Sequence, residues 1–375
     1  MARHGNRSSV LNNMEVVREY FERLDPKFLG LGGRPKVERV LPLELGEAHL
    51  NFLVQAGGRK FIFRVNMDQS SRGKSRKEFE MLNLLGDYKV APRTFYLDES
   101  REVFDETLLI VEYVDGRPLS AVETKTVPAD AVAKLAELLA RVHSLDLGKS
   151  LDLLPRRGVS YGNWVRVNRR NVDYVRRRGS ERLYGDDLLD RVLDDGLSKI
   201  VSIAKQAKYP NAVTPAHGDV CAQNVLVDQA SGDLRLIDWE SFGLWDPAAE
   251  IALVLEGFGL DLLSSQQEEF LRRYRSLRKD DTLLDRLDVF RPLVRFEQLT
   301  WGIKHAFEIM AGELNPAFVK RTDMQKHLAF VSLFLRRCSE TNLIDVKPGE
   351  VKGLEEILGS CARSAMAGDR VDIYR

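Results

Sequence analysis

Apolar positions along the 375-residue chain follow two rhythms, and the change between them divides the sequence. Val16, Val17, Tyr20, Phe21 and Leu24 recur at helical spacing and predict a short amphipathic helix from Met14 to Leu24. Strand-like runs follow at Val37 to Leu43, Leu50 to Gln55 and Phe61 to Val65. The last two are joined through Ala56-Gly57-Gly58-Arg59, a hairpin turn. Phe79, Leu82 and Leu85 then mark a helix over Glu78 to Leu85, before further strands at Thr94 to Leu97 and Leu108 to Tyr113. Asp115-Gly116-Arg117-Pro118 breaks the pattern with turn residues.

Beyond that turn the rhythm is helical. Pro128 suits a first helical turn, with Val132, Leu135, Leu138, Leu139, Val142 and Leu145 as the apolar stripe. Further helices are expected at Asp186 to Lys208, Gln266 to Leu277, Leu287 to Met310, Met324 to Arg337 and Val351 to Ala367. A β interlude at Val225 to Val227 and Leu234 to Ile237 interrupts them. The pattern predicts an α+β, bilobal architecture. Residues 1–113 form a small β-rich lobe with a polar, mobile start over 1–13, and residues 114–375 form a large, mostly helical lobe.

Charge narrows the function classes. Lys+Arg and Asp+Glu both number 56, so the net charge is zero, and a uniformly basic nucleic-acid binder is disfavoured. Cys221, Cys338 and Cys361 lie far apart without CxxC spacing, which argues against a disulfide framework or a thiolate zinc site. The N-terminus lacks the apolar core of a signal peptide. The most apolar stretch, Ile251 to Leu263, is broken by Glu256 and Asp261 and is too short to span a bilayer. A cytoplasmic protein with no membrane partner is expected.

The chemistry concentrates in His217-Gly218-Asp219-Val220-Cys221-Ala222-Gln223-Asn224, followed by Ile237-Asp238-Trp239-Glu240 and Asp246-Pro247. Asp219 lies in a loop, Asn224 at the mouth of a strand, and Asp238 at the end of the next strand. Phosphoryl transfer needs a carboxylate to orient a hydroxyl and a few oxygen ligands for Mg²⁺. Asn224 and Asp238 would suffice for the ion.

This HGDxxxxN…IDWE…DP pattern resembles the aminoglycoside phosphotransferase and choline kinase family of the protein-kinase-like fold. The resemblance runs from about Val37 to Met310 and implies a small-molecule kinase using ATP and Mg²⁺. It implies Asp219 as catalytic base, Asn224 and Asp238 as metal ligands, His217 as a shaper of the loop, and Asp246 as a brace for the next segment. The segment Leu45-Gly46-Glu47-Ala48-His49-Leu50-Asn51 sits where the family covers the phosphates, which puts Gly46 and Asn51 at the nucleotide. Arg64 occupies the position of the ATP-anchoring cation, with Glu78 as its partner. Glu112, Tyr113 and Val114 lie where the hinge backbone would bind adenine. One glycine in place of GxGxxG makes the loop a weak motif on its own. The absence of His-Arg-Asp, Asp-Phe-Gly and Ala-Pro-Glu disfavours a protein kinase.

Other residues carry weaker signals. Glu240 reads equally well as a third carboxylate near the metal or as a loop residue bonded to backbone. Cys221 reads as a structural thiol, since no base is spaced to activate it. His143 ends an apolar stripe and reads as a packed or capping histidine. His49 divides evenly between a nucleotide contact and a solvated turn residue.

The segment Arg156 to Arg182 holds nine arginines against two acids, and His217 to Glu250 holds seven acids against one arginine. Neutrality is therefore a near-cancellation of opposite segments. For the basic insert, a solvated helix face with Trp164, Val165, Val172 and Val175 inward stands beside two ligand roles. These are an anionic acceptor and contact with nucleic acid. The leading function is an ATP- and Mg²⁺-dependent phosphotransferase acting on a small-molecule hydroxyl. The alternatives are a nucleotide-sensing or RNA-associated module using the insert, and an antibiotic kinase of the aminoglycoside type.

Overall fold

The computed structural model describes residues 14–43, 49–66, 74–88, 90–104, 106–119, 127–179, 187–257, 259–311, 313, 324–347 and 349–356. The 1–13 start, Gly46, Arg182, Cys361 and the end of the last expected helix lie outside these residues. In chain order the first elements are α1 (Met14–Arg23), β1 (Val37–Leu43), β2 (His49–Ala56), β3 (Arg59–Asn66) and α2 (Lys74–Leu85). Then come β4 (Thr94–Asp98), β5 (Leu108–Glu112), β6 (Gly116–Pro118), α3 (Ala129–Val142), α4 (Tyr161–Gly179) and α5 (Asp187–Lys205). The chain continues through β7 (Thr214–Ala216), β8 (Val225–Asp228), β9 (Leu234–Leu236), β10 (Gly243–Trp245) and α6 (Pro247–Glu256). It ends in α7 (Ser264–Leu277), α8 (Leu283–Ala311) and α9 (Met324–Glu340), with 349–356 helical beyond them.

These elements segregate into two compact units: residues 1–117 with 226–240, and residues 118–225 with 241–375. The first unit is built on an antiparallel sheet ordered β1-β2-β3-β5-β4. Its β2–β3 hairpin pairs Ala56 with Arg59 across Gly57 and Gly58. Both glycines have positive φ, 58° and 72°, as a two-residue turn matched to strand twist requires. Pro42 is tolerated because β1 is an edge strand, where a missing N–H costs no ladder bond. Along β3, Phe61, Phe63 and Val65 lie on the buried face. They pack with Val17 and Phe21 of α1 and with Phe52, Val54, Leu108 and Ile110.

Two features go beyond the sequence expectation for this unit. Helix α2 starts one turn earlier than Glu78, because its first turn is polar and leaves no apolar mark. The β8–β9 hairpin adds β6 as a third strand, in the order β6-β8-β9. Gly116 is required there, since a Cβ would stand 2.9 Å from Val227 O and from Leu226 Cβ.

The second unit is helical around α8, which packs on α4, α6 and α9. Phe290, Leu293, Val294, Phe296, Leu299 and Ile303 of α8 are buried. Helix α6 is buried except at Leu253, with its two acids Glu250 and Glu256 inside among the apolar residues, so no exposed polar stripe announces it in the sequence. A two-stranded β7–β10 ladder completes the unit. Helix α4 turns Trp164, Val172 and Val175 inward and leaves Arg166, Arg169 and Arg170 exposed.

Candidate active site

In the first unit, strand pairing sets Arg64 of β3 opposite Asn51 of β2. Arg64 Nε donates to Asn51 Oδ1 at 3.3 Å, and Arg64 Nη1 donates to Glu78 Oε1 at 2.7 Å. Glu78 comes from the first turns of α2 and is buried, with 7% exposure. The expected cation–carboxylate pair is thus formed. Burial works against the charge of Arg64, but Glu78, Asp238 and Glu240 outweigh it and hold the guanidinium above its ordinary range. Burial pushes Glu78 up, and the neighbouring Asp238 and Glu240 add to the push against the pull of Arg64.

Asp238 follows β9 in the left-handed region, with φ 64°. Asp and Asn are the non-glycine residues best able to hold that conformation, and it persists only where the surroundings enforce it. Trp239, 1% exposed, anchors the turn through its Nε1 bond to Leu236 O at 3.0 Å. Asp238 Oδ1 is buried and accepts no hydrogen bond from a described residue, with Arg64 Nη1 3.6 Å away. Close by, His49 Nε2 lies 3.9 Å from Glu240 Oε2.

The segment expected to bind adenine has mixed availability. Glu112 is committed locally: its N–H donates to Arg93 O, and its Oε2 accepts from Arg93 N and Arg235 Nη2. Val114 accepts from Gly116 N at 2.9 Å, while its own N–H meets no acceptor among the described residues.

In the second unit, β7 delivers His217, Gly218 and Asp219. Gly218 has φ 82°, and a Cβ there would stand 2.6 Å from Ser241 O and 2.5 Å from the Trp245 ring. Only glycine fits this turn. Its N–H donates to Glu250 Oε1 at 2.5 Å. Glu250 Oε2 bonds His143 Nε2 at 2.6 Å, and His143 Nδ1 bonds Tyr274 Oη at 2.7 Å. His143 is a packed histidine, as expected, but its partner Glu250 was not foreseen. Burial opposes the charge of Glu250, yet the bonds from His143 and Gly218 hold it below the ordinary carboxylate range.

Asn224 is 8% exposed and donates through Nδ2 to Asp219 Oδ2 at 2.8 Å and to Asp219 O at 3.0 Å. Its Oδ1 accepts from no described residue. Asp219 itself is exposed. Glu297 of α8, missed by the sequence reading, is pushed up to about 7 by burial and by the Asp219 charge. Asp246 caps α6 through Ala248 N at 2.9 Å and receives Arg286 Nε at 3.0 Å, which makes it a brace. In the basic segment, Arg176 pairs with Asp190 and Asp194, and Arg178 pairs with Glu313.

Residues 39–290, about two thirds of the chain, match the model of a family described as the phosphotransferase enzyme family. The chain belongs to that family. Solved structures agree on the fold of this phosphotransferase. A choline kinase from Cryptosporidium parvum Iowa II matches with a TM-score of 0.61 at 14% identity, over 92% of this chain and 100% of its own. Spectinomycin phosphotransferase, solved with ADP and spectinomycin, gives 0.60 at 12% identity over 93% and 98%. A macrolide 2'-phosphotransferase of type I gives 0.52 at 19% identity over 78% and 92%. Among curated proteins none matches this chain by sequence.

The chain is therefore a phosphotransferase with a kinase-like α+β fold. Among the described residues, no helix is long and apolar enough to cross a membrane. In the first unit Asp238 Oδ1, and in the second unit Asn224 Oδ1, is an oxygen that accepts no hydrogen bond from a described residue, and oxygen is the donor type that hard divalent ions take.

Proposed function

We propose that this phosphotransferase moves the terminal phosphoryl group of ATP onto a hydroxyl of a small molecule, with Mg²⁺ as the required cation. The observation that carries this reading is Asn224, which fixes the Asp219 carboxylate with its amide nitrogen and keeps its carbonyl oxygen available. Asp219 aligns the acceptor hydroxyl and takes its proton. Asn224 and Asp238 are the residues that would hold Mg²⁺, which when bound supplies charge neutralisation on the phosphates. Arg64, steadied by Glu78, pairs phosphate oxygens as a planar fork. Gly46 and Asn51 belong to the segment over the phosphates. The Val114 N–H and the Glu112 carbonyl, rather than the committed Glu112 N–H, take the adenine edge. Positioning and charge complementarity then provide most of the acceleration.

The ADP bound to spectinomycin phosphotransferase supports a nucleotide donor. The names of the similar structures, a choline kinase and two antibiotic phosphotransferases, set the first acceptors to try. The exposed Arg166, Arg169 and Arg170 add anionic alcohols to that panel. The test is ADP release and phosphorylated product across the panel, for wild type and Asp219→Asn. Transfer by wild type and a fall of about 10²-fold or more in the variant is expected. Equal turnover by both would remove Asp219 from the reaction.

A further inference from the structure

Within the second unit, a cavity of about 500 Å³ opens between α5, α8 and the turn that closes α9. Its wall on α8 is Asp288, Arg291, Pro292 and Arg295, spaced as one helical face. Glu297, which feels the Asp219 charge, lies about 200° round the same helix from Arg295. The cavity is therefore on the side of α8 turned away from Asp219, and no residue of the phosphotransfer centre lines it.

The hydrogen-bond donors of this wall are only partly used. Glu256 of α6, 4% exposed, takes Arg291 Nε on Oε1 and Arg295 Nε on Oε2, so one carboxylate fixes two guanidiniums. Arg291 Nη2 donates to Gln267 Oε1 at 3.1 Å, and Arg295 Nη2 lies 2.8 Å from Glu256 Oε2. The Nη1 of each arginine meets no acceptor among the described residues. Across the cavity, Asn342 N–H donates to Ser339 O at 2.9 Å and Leu343 N–H to Cys338 O at 2.8 Å. These bonds close α9 in a Schellman motif and hold Asn342 at φ 55°. The Asn342 side-chain amide lines the cavity and has no partner among the described residues. The acids nearby are mostly occupied: Glu256 by the two arginines, and Asp195 by Lys199 at 2.8 Å and the Asp345 N–H at 2.6 Å. Asp288 is exposed.

We infer that this cavity binds a small organic anion, a phosphate ester or a carboxylate, through Arg291, Arg295 and Asn342, apart from the phosphotransfer centre. Two guanidiniums locked by one shared carboxylate are already ordered, which lowers the cost of receiving oxygen acceptors on their outer nitrogens. Ile203, Pro292 and Leu343 supply carbon surface for a short ligand skeleton. The charge of Asp288 on the same wall opposes the anion, and its exposure to water screens that repulsion. A ligand held there bridges α5, α8 and the end of α9, so it stabilises the folded chain in step with its concentration.

The experiment titrates the full chain with inorganic phosphate and, separately, with succinate, by calorimetry and by thermal unfolding. One probe molecule per chain and a Tm that rises with probe concentration are expected, and the tighter probe identifies the anionic group of the ligand. Arg291→Gln weakens that probe at least about tenfold. Asn342→Gly removes the amide, and glycine holds the left-handed turn without strain. It weakens the probe about 3–10-fold and keeps the Tm of the unliganded chain. Arg64→Gln, in the first unit, leaves the affinity unchanged. Absence of binding to the wild-type chain, or unchanged affinity in either Arg291→Gln or Asn342→Gly, overturns the site. A loss of binding in Arg64→Gln assigns the probe to the nucleotide site and overturns it equally.

Discussion

Asp246 and Asp238 lie eight residues apart in the chain, and their surroundings are opposite. Asp246, at the start of α6, is fully buried and saturated. Its Oδ1 accepts from Ala248 N and Arg286 Nε, and its Oδ2 from Asn211, Ala212 N and Arg286. Asp238, after β9, sits in a left-handed backbone conformation with a buried oxygen to which no described residue donates. The His143–Glu250–Gly218 network follows the first pattern; beside Asp238, Arg64 is bonded to Glu78 and Asn51 and stays 3.6 Å from Asp238 Oδ1. Saturated buried charge belongs to the architecture. Unsatisfied buried charge costs stability and marks where a ligand is to be completed.

The largest expected effect comes from exchanging the two aspartates' fates. Asp238→Asn should lower turnover by about 10²–10³-fold with unfolding free energy within about 1 kcal/mol of wild type. Asp246→Ala should instead cost about 3–5 kcal/mol, because it leaves Arg286 buried beside Asp280 alone. Urea unfolding and steady-state kinetics on both variants separate them. A large stability loss in Asp238→Asn would break the comparison.

Next in size is the histidine network. His143→Ala strips a buried carboxylate of one partner and should cost about 3 kcal/mol in urea unfolding. The pH dependence follows from the lowered Glu250. Its stabilisation is present above the unfolded value near 4.5 and is lost as pH falls through the lower folded value. Glu250→Gln should therefore flatten the acid limb of the stability curve.

Glu297 has the opposite sign. Its folded value is raised to about 7, so the folded chain holds its proton more tightly and stability falls as pH rises from about 4.5 to 7. Glu297→Gln should gain on the order of 1–3 kcal/mol at pH 8 and nothing at pH 4, measured by thermal unfolding at both. The smallest effect belongs to the exposed arginines of α4. Glu substitutions at Arg166, Arg169 or Arg170 should each change stability by less than about 0.5 kcal/mol. A raised KM for an anionic acceptor in these variants would give the arginines a ligand role.

Short-range geometry was legible in the sequence. The period-two alternation of β3 assigns Arg64 to the face opposite Phe61 and Phe63, and the spacing of Asp219 and Asn224 lets one side chain hold the other. Links across long separations were not. Glu250 and His143 are 107 residues apart, and neither carries a local signal of the other. Helix α6 hides its helicity because its acids, Glu250 and Glu256, are buried with its apolar residues rather than set on an exposed polar face. The left-handed turn at Asp238 is followed by the buried Trp239, bonded to Leu236 O, and no local preference announces it. The basic segment was legible as charge but not as pairing, since Arg176 and Arg178 find Asp190, Asp194 and Glu313 only in the folded chain.

The central claim is that the unsatisfied charge around Asp238 is completed by a metal–nucleotide complex. Calorimetric titration of ATP with and without Mg²⁺ tests it on wild type and Asp238→Asn. The account predicts tight MgATP binding to wild type, weakened at least about tenfold in the variant and by omission of Mg²⁺. Equal affinities in all these titrations, or no binding of MgATP to the wild-type chain, would contradict it.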